Sequence, residues 1–182
     1  MHRNNVNNGH ITCTKSSNFY FFGFLKTGEE EPSTITDEDG LIKKINGGDF
    51  NAQESVQNEE MPFVARLVKH GDYSGRGITN TRSGAIAAYK SVKLNKDANI
   101  FTVSYASLKG YDGQKVSVKV GSKDAQPIAE FVTQGNGWET FNTEKITLSS
   151  PLKAGTYDIY LTFNGENGSD QTCKLHWFGF EE

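Results

Sequence analysis

The sequence predicts an all-β sandwich, and three observations carry that prediction. Within Thr156 to Phe163 the apolar side chains Tyr157, Ile159, Leu161 and Phe163 recur at every second residue. This sets a greasy face against a polar one, the pattern of a half-buried strand. Phe101, Val103 and Tyr105 repeat the period, as do Val116, Val118 and Val120. Between these runs lie clusters of Gly, Asn, Asp and Ser, which supply turns. Several short strands at close spacing argue for two packed antiparallel sheets, with the binding function on the loops.

Gly155 to Phe163 and Lys174 to Phe180 are read as the last two strands. Trp177 alternates with Leu175 inside the second of them and is expected in the core. Helical period is weak throughout. Its best case is Glu60 to His70, where Phe63, Leu67 and His70 share one side and Pro62 falls in the first turn, a position that tolerates proline. A helix there and no helix are both open.

Residues 1–48 read as an extension or linker and residues 49–182 as the sandwich. The first ten residues are Asn-rich, and Asn18 to Leu25 is densely aromatic. The aromatic run is short, comes late and has no small-residue cleavage site after it, so it reads as a strand rather than a leader. An exposed aromatic strand is an aggregation hazard, so it is expected to pack on this domain or on another. Residues 28–40 are acidic, contain Pro32 and the turn pair Asp39-Gly40, and read as a linker.

The 182 residues suffice for one domain with a real core and an appendage. A net charge of −3 with scattered Lys and Arg provides no basic stripe for nucleic acid. No apolar run approaches the roughly 18 residues of a membrane-spanning helix. Cys13 and Cys173 stand at opposite ends of the sequence and are read either as a bridge or as two lone thiols. His2, His10, His70 and His176 are too dispersed for a zinc site.

The blocks Lys115 to Val120, Ile128 to Thr133, Gly137-Trp138-Glu139-Thr140-Phe141, Gly155 to Gly165 and Leu175-His176-Trp177-Phe178 follow one another in an order that resembles a family 6 carbohydrate-binding module. The related family 35 is also in range. The resemblance covers residues 50–182 and is specific in its second half. It implies a jelly-roll β-sandwich attached to a secreted glycoside hydrolase, which it would hold on plant or algal polysaccharide. Upstream, Asp39-Gly40-Leu41-Ile42-Lys43-Lys44-Ile45 resembles a segment near the end of family 43 glycosidase domains. That implies the tail of a larger enzyme.

Sugar recognition calls for flat aromatic faces, because the axial C–H groups of a pyranose stack on an indole or phenol. Trp138 lies in the Gly-rich loop Thr133 to Trp138 and matches the family's cleft tryptophan; the alternative is a core indole. By the same resemblance, Ile78 in Gly77-Ile78-Thr79 replaces the family's second stacking ring. Tyr73 either substitutes for that ring or is an ordinary loop tyrosine. Lys174 replaces the asparagine that closes the cleft and would donate to a hydroxyl or pair with a uronic acid. Asn80, Arg82 and Asn136 are candidates for polar contacts through loop proximity. Gly84-Ala85-Ile86 stands where some relatives carry the tryptophan of a second cleft, which is therefore expected to be missing.

No cofactor is expected. The structural calcium of relatives would fall on Asn51, Gln53 and His176, where the carboxylates that a hard cation favours are gone, with Glu54 nearby. Asp72, Asp112, Glu139 and Asp158 sit in no catalytic motif and read as solvated surface. The expected function is therefore non-catalytic carbohydrate binding. The alternative is a structural or protein-interaction sandwich that has lost its sugar site.

Overall fold

The computed structural model describes residues 40–70, 73–165 and 172–182. The described residues form strands and connecting loops without a helix. In chain order the strands are β1 (Leu41–Asn46), β2 (Val64–His70), β3 (Tyr73–Thr79), β4 (Ile86–Leu94), β5 (Ala98–Ala106), β6 (Lys115–Val120), β7 (Pro127–Val132), β8 (Asn142–Leu152), β9 (Gly155–Asn164) and β10 (Lys174–Glu181). A six-stranded sheet runs β2-β3-β10-β5-β8, with β1 also on β10, and a four-stranded sheet runs β4-β9-β6-β7. The paired strands are antiparallel throughout. Among the described residues only β2–β3 and β6–β7 are hairpins within a sheet. From β3 to β6 and from β7 to β10 each connection crosses between sheets, which is how a jelly roll is wound.

Alternation places the core where the sequence predicts it. Val116, Val118 and Val120 of β6 stand opposite Phe163, Leu161 and Ile159 of β9, so each pair shares a face. On the six-stranded sheet Phe101, Val103 and Tyr105 stand opposite Phe180, Phe178 and Leu175. These faces meet in one cluster, in which Phe101, Phe163, Phe178 and Phe180 are fully buried. Each such side chain contributes roughly 1.5–3 kcal/mol by leaving water.

The structure settles one open reading, moves one boundary and re-aims one side chain. Glu60 to His70 is not a helix: Val64–His70 is a strand in register with Tyr73–Thr79. The β-branched Val64 and Val68 suit a pleated surface, and a hairpin partner seven residues long outweighs a weak helical period. The sheet also begins ahead of residue 49. Leu41 and Ile45 are buried as β1 pairs with β10, while Lys43 and Lys44 between them mask the apolar pattern.

Trp177 is buried, as the sequence predicts, but it does not share a face with Leu175. A register shift between Leu175 and Trp177 changes the phase of β10, so Leu175, Phe178 and Phe180 face the core. Trp177 stands opposite Ser104 and Asn46 on the outer face of the larger sheet. There the Lys44 ammonium lies 4.1 Å from its ring centroid. A bulge of this kind re-aims every side chain beyond it.

The aromatic run Asn18 to Leu25, the linker at 28–39 and Cys13 fall outside the described residues. Cys173 is a free, fully buried thiol, and burial pushes its pKa up to about 12.

Candidate functional site

The outer face of the larger sheet carries a second, small apolar cluster at the corner where β2, β3 and β10 meet. Val68 of β2, Ala106 of β5 and Phe141 form it, and the Phe141 ring lies 4.7 Å from the His176 ring. Phe141 belongs to the loop at 133–141, which leaves β7 in one sheet and enters β8 in the other. Its phenyl ring therefore pins the loop down on the sheet.

Polar contacts fix the rest of this loop. The Gln134 N–H donates to Tyr105 Oη at 3.0 Å, and the Gly137 N–H donates to the Ser107 carbonyl at 2.9 Å. Asn142 Nδ2 donates to the Gln134 carbonyl at 3.0 Å, and Asn136 Nδ2 donates to Asn142 Oδ1 at 2.7 Å. Gly135 lies so close to the Leu108 backbone that a Cβ would sit 2.6 Å from its carbonyl oxygen. Gly137, directly before Trp138, has φ of +120°, a conformation glycine adopts without a Cβ penalty.

Lys174 completes the arrangement from below. Its side chain is only 3% exposed, and its ammonium donates to the Trp138 carbonyl and to Glu139 Oε1, both at 2.7 Å. The hydrogen bond from Lys174 and its charge hold the Glu139 carboxyl below the usual carboxylate range, with Arg66 adding to the effect. A buried cation is stable only with such partners.

These contacts open a cavity of about 280 Å³ lined by Arg66, Thr79, Asn80, Trp138, Glu139 and Lys174. That is the small end of the range for ligand sites. Asn80 takes φ of 61°, and its Nδ2 donates to the Pro62 carbonyl at 3.2 Å, which fixes the cavity's rim.

Of the residues singled out from the sequence, Trp138, Asn80 and Lys174 are brought together here. Lys174 acts chiefly as a strut under the loop, because its ammonium is already engaged. Asn136 is exposed and does not line the cavity; it braces the loop through Asn142. Tyr73 opens β3 at the end opposite Thr79, about 20 Å away along an extended strand. Arg82 donates its backbone N–H to the Asn80 carbonyl and also stays outside the lining. Ile78 is fully buried in the core, and the neighbour that faces the cavity is Thr79. Arg66 and Glu139 were not singled out as ligand contacts. The signal for Arg66 was its place between Val64 and Val68 in an alternating strand.

The residues at the calcium positions do not fit that ion. Asn51 Oδ1 already accepts the N–H groups of Gln53 and Glu54, at 3.0 and 3.3 Å, while His176 is fully buried against Phe141. Among the described residues no three His, Cys, Asp or Glu side chains converge. Of the acids considered for catalysis, Asp158 pairs with Lys90 at 2.6 Å, and Asp112 accepts the Gly110 N–H. Asp72 lies outside the described residues.

The family pattern for "Carbohydrate binding module (family 6)" matches residues 64–182, beginning at the first residue of β2. The chain belongs to carbohydrate-binding module family 6. Modules of this family bind sugar without catalysis.

Solved structures agree with the fold. A β-1,3-glucan-binding family 6 module from Bacillus halodurans superposes with a TM-score of 0.64 at 21% identity, over 78% of this chain and 97% of that one. A family 6 module from Clostridium stercorarium in complex with cellobiose gives 0.60 at 19% identity, over 78% and 94%. A family 43 arabinoxylan arabinofuranohydrolase from Bacillus subtilis, in complex with cellotetraose, gives 0.62 at 14% identity, over 78% of this chain and 27% of that enzyme. At these identities the likeness establishes the sandwich, and the site rests on the geometry above.

Proposed function

We propose that the module binds polysaccharide in the cavity beside Trp138, with the indole as the stacking face and Asn80, Arg66 and Glu139 as hydrogen-bonding groups. The observation that carries this reading is a partly exposed tryptophan on a loop braced from several sides and set in the wall of a cavity. Such bracing lowers the ordering cost of binding. A small site of this kind gives micromolar to millimolar affinity, about −4 to −8 kcal/mol, which suits retention on a polymer that offers many copies of the ligand.

In this proposal the module is exported and holds an attached glycoside hydrolase on plant or algal polysaccharide. The family supports that reading, as does the structural likeness to a segment of a family 43 enzyme. Affinity electrophoresis against xylan, β-glucan, arabinan and agarose tests it. Retardation of the wild type on at least one polymer, lost in Trp138→Ala, is the expected outcome. Free migration of the wild type on all of them would leave a sandwich with a structural or protein-binding role.

A further inference from the structure

We propose that the cavity selects an acidic sugar, a uronic acid residue within a polysaccharide, and that Arg66 is the group that selects it. This rests on the reading that the cavity takes sugar. The charge inventory of the cavity is short: Arg66, Glu139 and Lys174 are its ionisable lining, and Thr79, Asn80 and Trp138 are neutral. Lys174 and Glu139 neutralise each other at 2.7 Å, and the remaining reach of the ammonium goes to the Trp138 carbonyl.

Arg66 is left over. Its guanidinium makes no hydrogen bond or ion pair within the described residues, although its field reaches Glu139. The cavity thus presents one uncommitted positive charge beside an indole face.

Chemistry then narrows the ligand. A guanidinium is a planar fork of donors that matches a carboxylate through two parallel hydrogen bonds, and charge-assisted bonds of this kind are roughly twice as strong as neutral ones. A pyranose stacked on Trp138 and carrying its carboxylate toward β2 would use both features together.

The test compares each acidic polymer with its own carboxyl-reduced form, in which the uronate becomes the neutral sugar and the backbone is unchanged. Native affinity gels containing glucuronoxylan, polygalacturonate or alginate, each beside its reduced counterpart, are run with the wild type, Arg66→Gln, Arg66→Lys and Trp138→Ala. The account expects at least a fivefold preference for one acidic polymer over its reduced form, weakened as salt rises. That ratio should fall toward one in Arg66→Gln and take an intermediate value in Arg66→Lys, which keeps the charge and loses the fork.

Equal retardation by acidic and reduced polymers, or a preference that survives Arg66→Gln, overturns the assignment while leaving sugar binding intact. Binding to no polymer, with Trp138→Ala indistinguishable from wild type, overturns the underlying sugar reading. Arg66 is exposed on the edge strand, so both of its variants should match the wild type in thermal unfolding.

Discussion

The two tryptophans of this chain stand on the same side of the same sheet and have opposite fates. Each has a lysine beside it. At Trp177 the Lys44 ammonium lies 4.1 Å over the ring, the indole is 9% exposed, and β1 runs alongside. At Trp138 the Lys174 ammonium is 6.0 Å from the ring centre and is turned to the backbone carbonyl of the tryptophan itself. One lysine caps the aromatic face; the other presents it. A cation near an aromatic ring therefore says little about binding until it is known which atoms the cation satisfies.

The sharpest way to break this comparison is to truncate each ring in turn. Trp177→Ala should lower stability by about 3 kcal/mol, the usual range for a large buried ring, in chemical denaturation. The folded fraction of that variant should keep the polysaccharide binding of the wild type. Trp138→Ala should do the reverse, weakening binding by roughly 2 kcal/mol, or some thirtyfold, as the loss of an aromatic anchor does. Its stability should stay within about 1 kcal/mol of wild type. Two variants with the same profile would show that the corners do not differ in the way described.

The next effect concerns how the loop is held. Gly137→Ala places a side chain at φ of +120° and should cost about 1–2 kcal/mol, read as a lower denaturation midpoint together with weaker polysaccharide binding. Lys44→Ala, which uncaps Trp177, should cost only about 0.5–1 kcal/mol and leave binding unchanged.

The smallest expected effect is on pH dependence. Glu139 has its folded pKa depressed by Lys174, so the ion pair adds stability at pH values above the ordinary Glu pKa of about 4.3. That contribution is lost as pH falls through the lower, folded value. Glu139 is mostly exposed, so the gain is small. Thermal scans of wild type and Glu139→Gln should differ at neutral pH and converge once the pH lies below the folded value. A difference that persists at low pH would mean that the glutamate acts through packing rather than charge.

The sequence made the scaffold readable because period-two alternation is a direct imprint of a two-layer sandwich. Tyr157, Ile159, Leu161 and Phe163 declare their face without help from the rest of the chain. The same logic gave the burial of Trp177 but not its face, because a single-residue register shift is invisible to any pattern and turns every later side chain over. It failed at Arg66 for another reason. Residues 60–70 carry a mixed period, and pairing with β3, a long-range contact, decides in favour of a strand.

Among the cavity's lining residues, Trp138 was legible from the family resemblance and Asn80 from loop proximity. The role of Lys174 was half legible. Its position in the cavity followed from the matched segment, but its burial and its bonds to Trp138 and Glu139 depend on how the 133–141 loop lies on the sheet. Asn136 shows the converse: proximity in sequence to Trp138 placed it in the loop, where it became a brace.

The most direct test of the central claim, that Trp138 alone offers its indole to a saccharide, is acrylamide quenching of tryptophan fluorescence with and without an oligosaccharide of whichever polymer retards the protein. The account predicts one quenchable indole of the two, shielded by saturating ligand and eliminated in Trp138→Phe. A quenchable component that ignores the ligand, or that remains in Trp138→Phe, would contradict it.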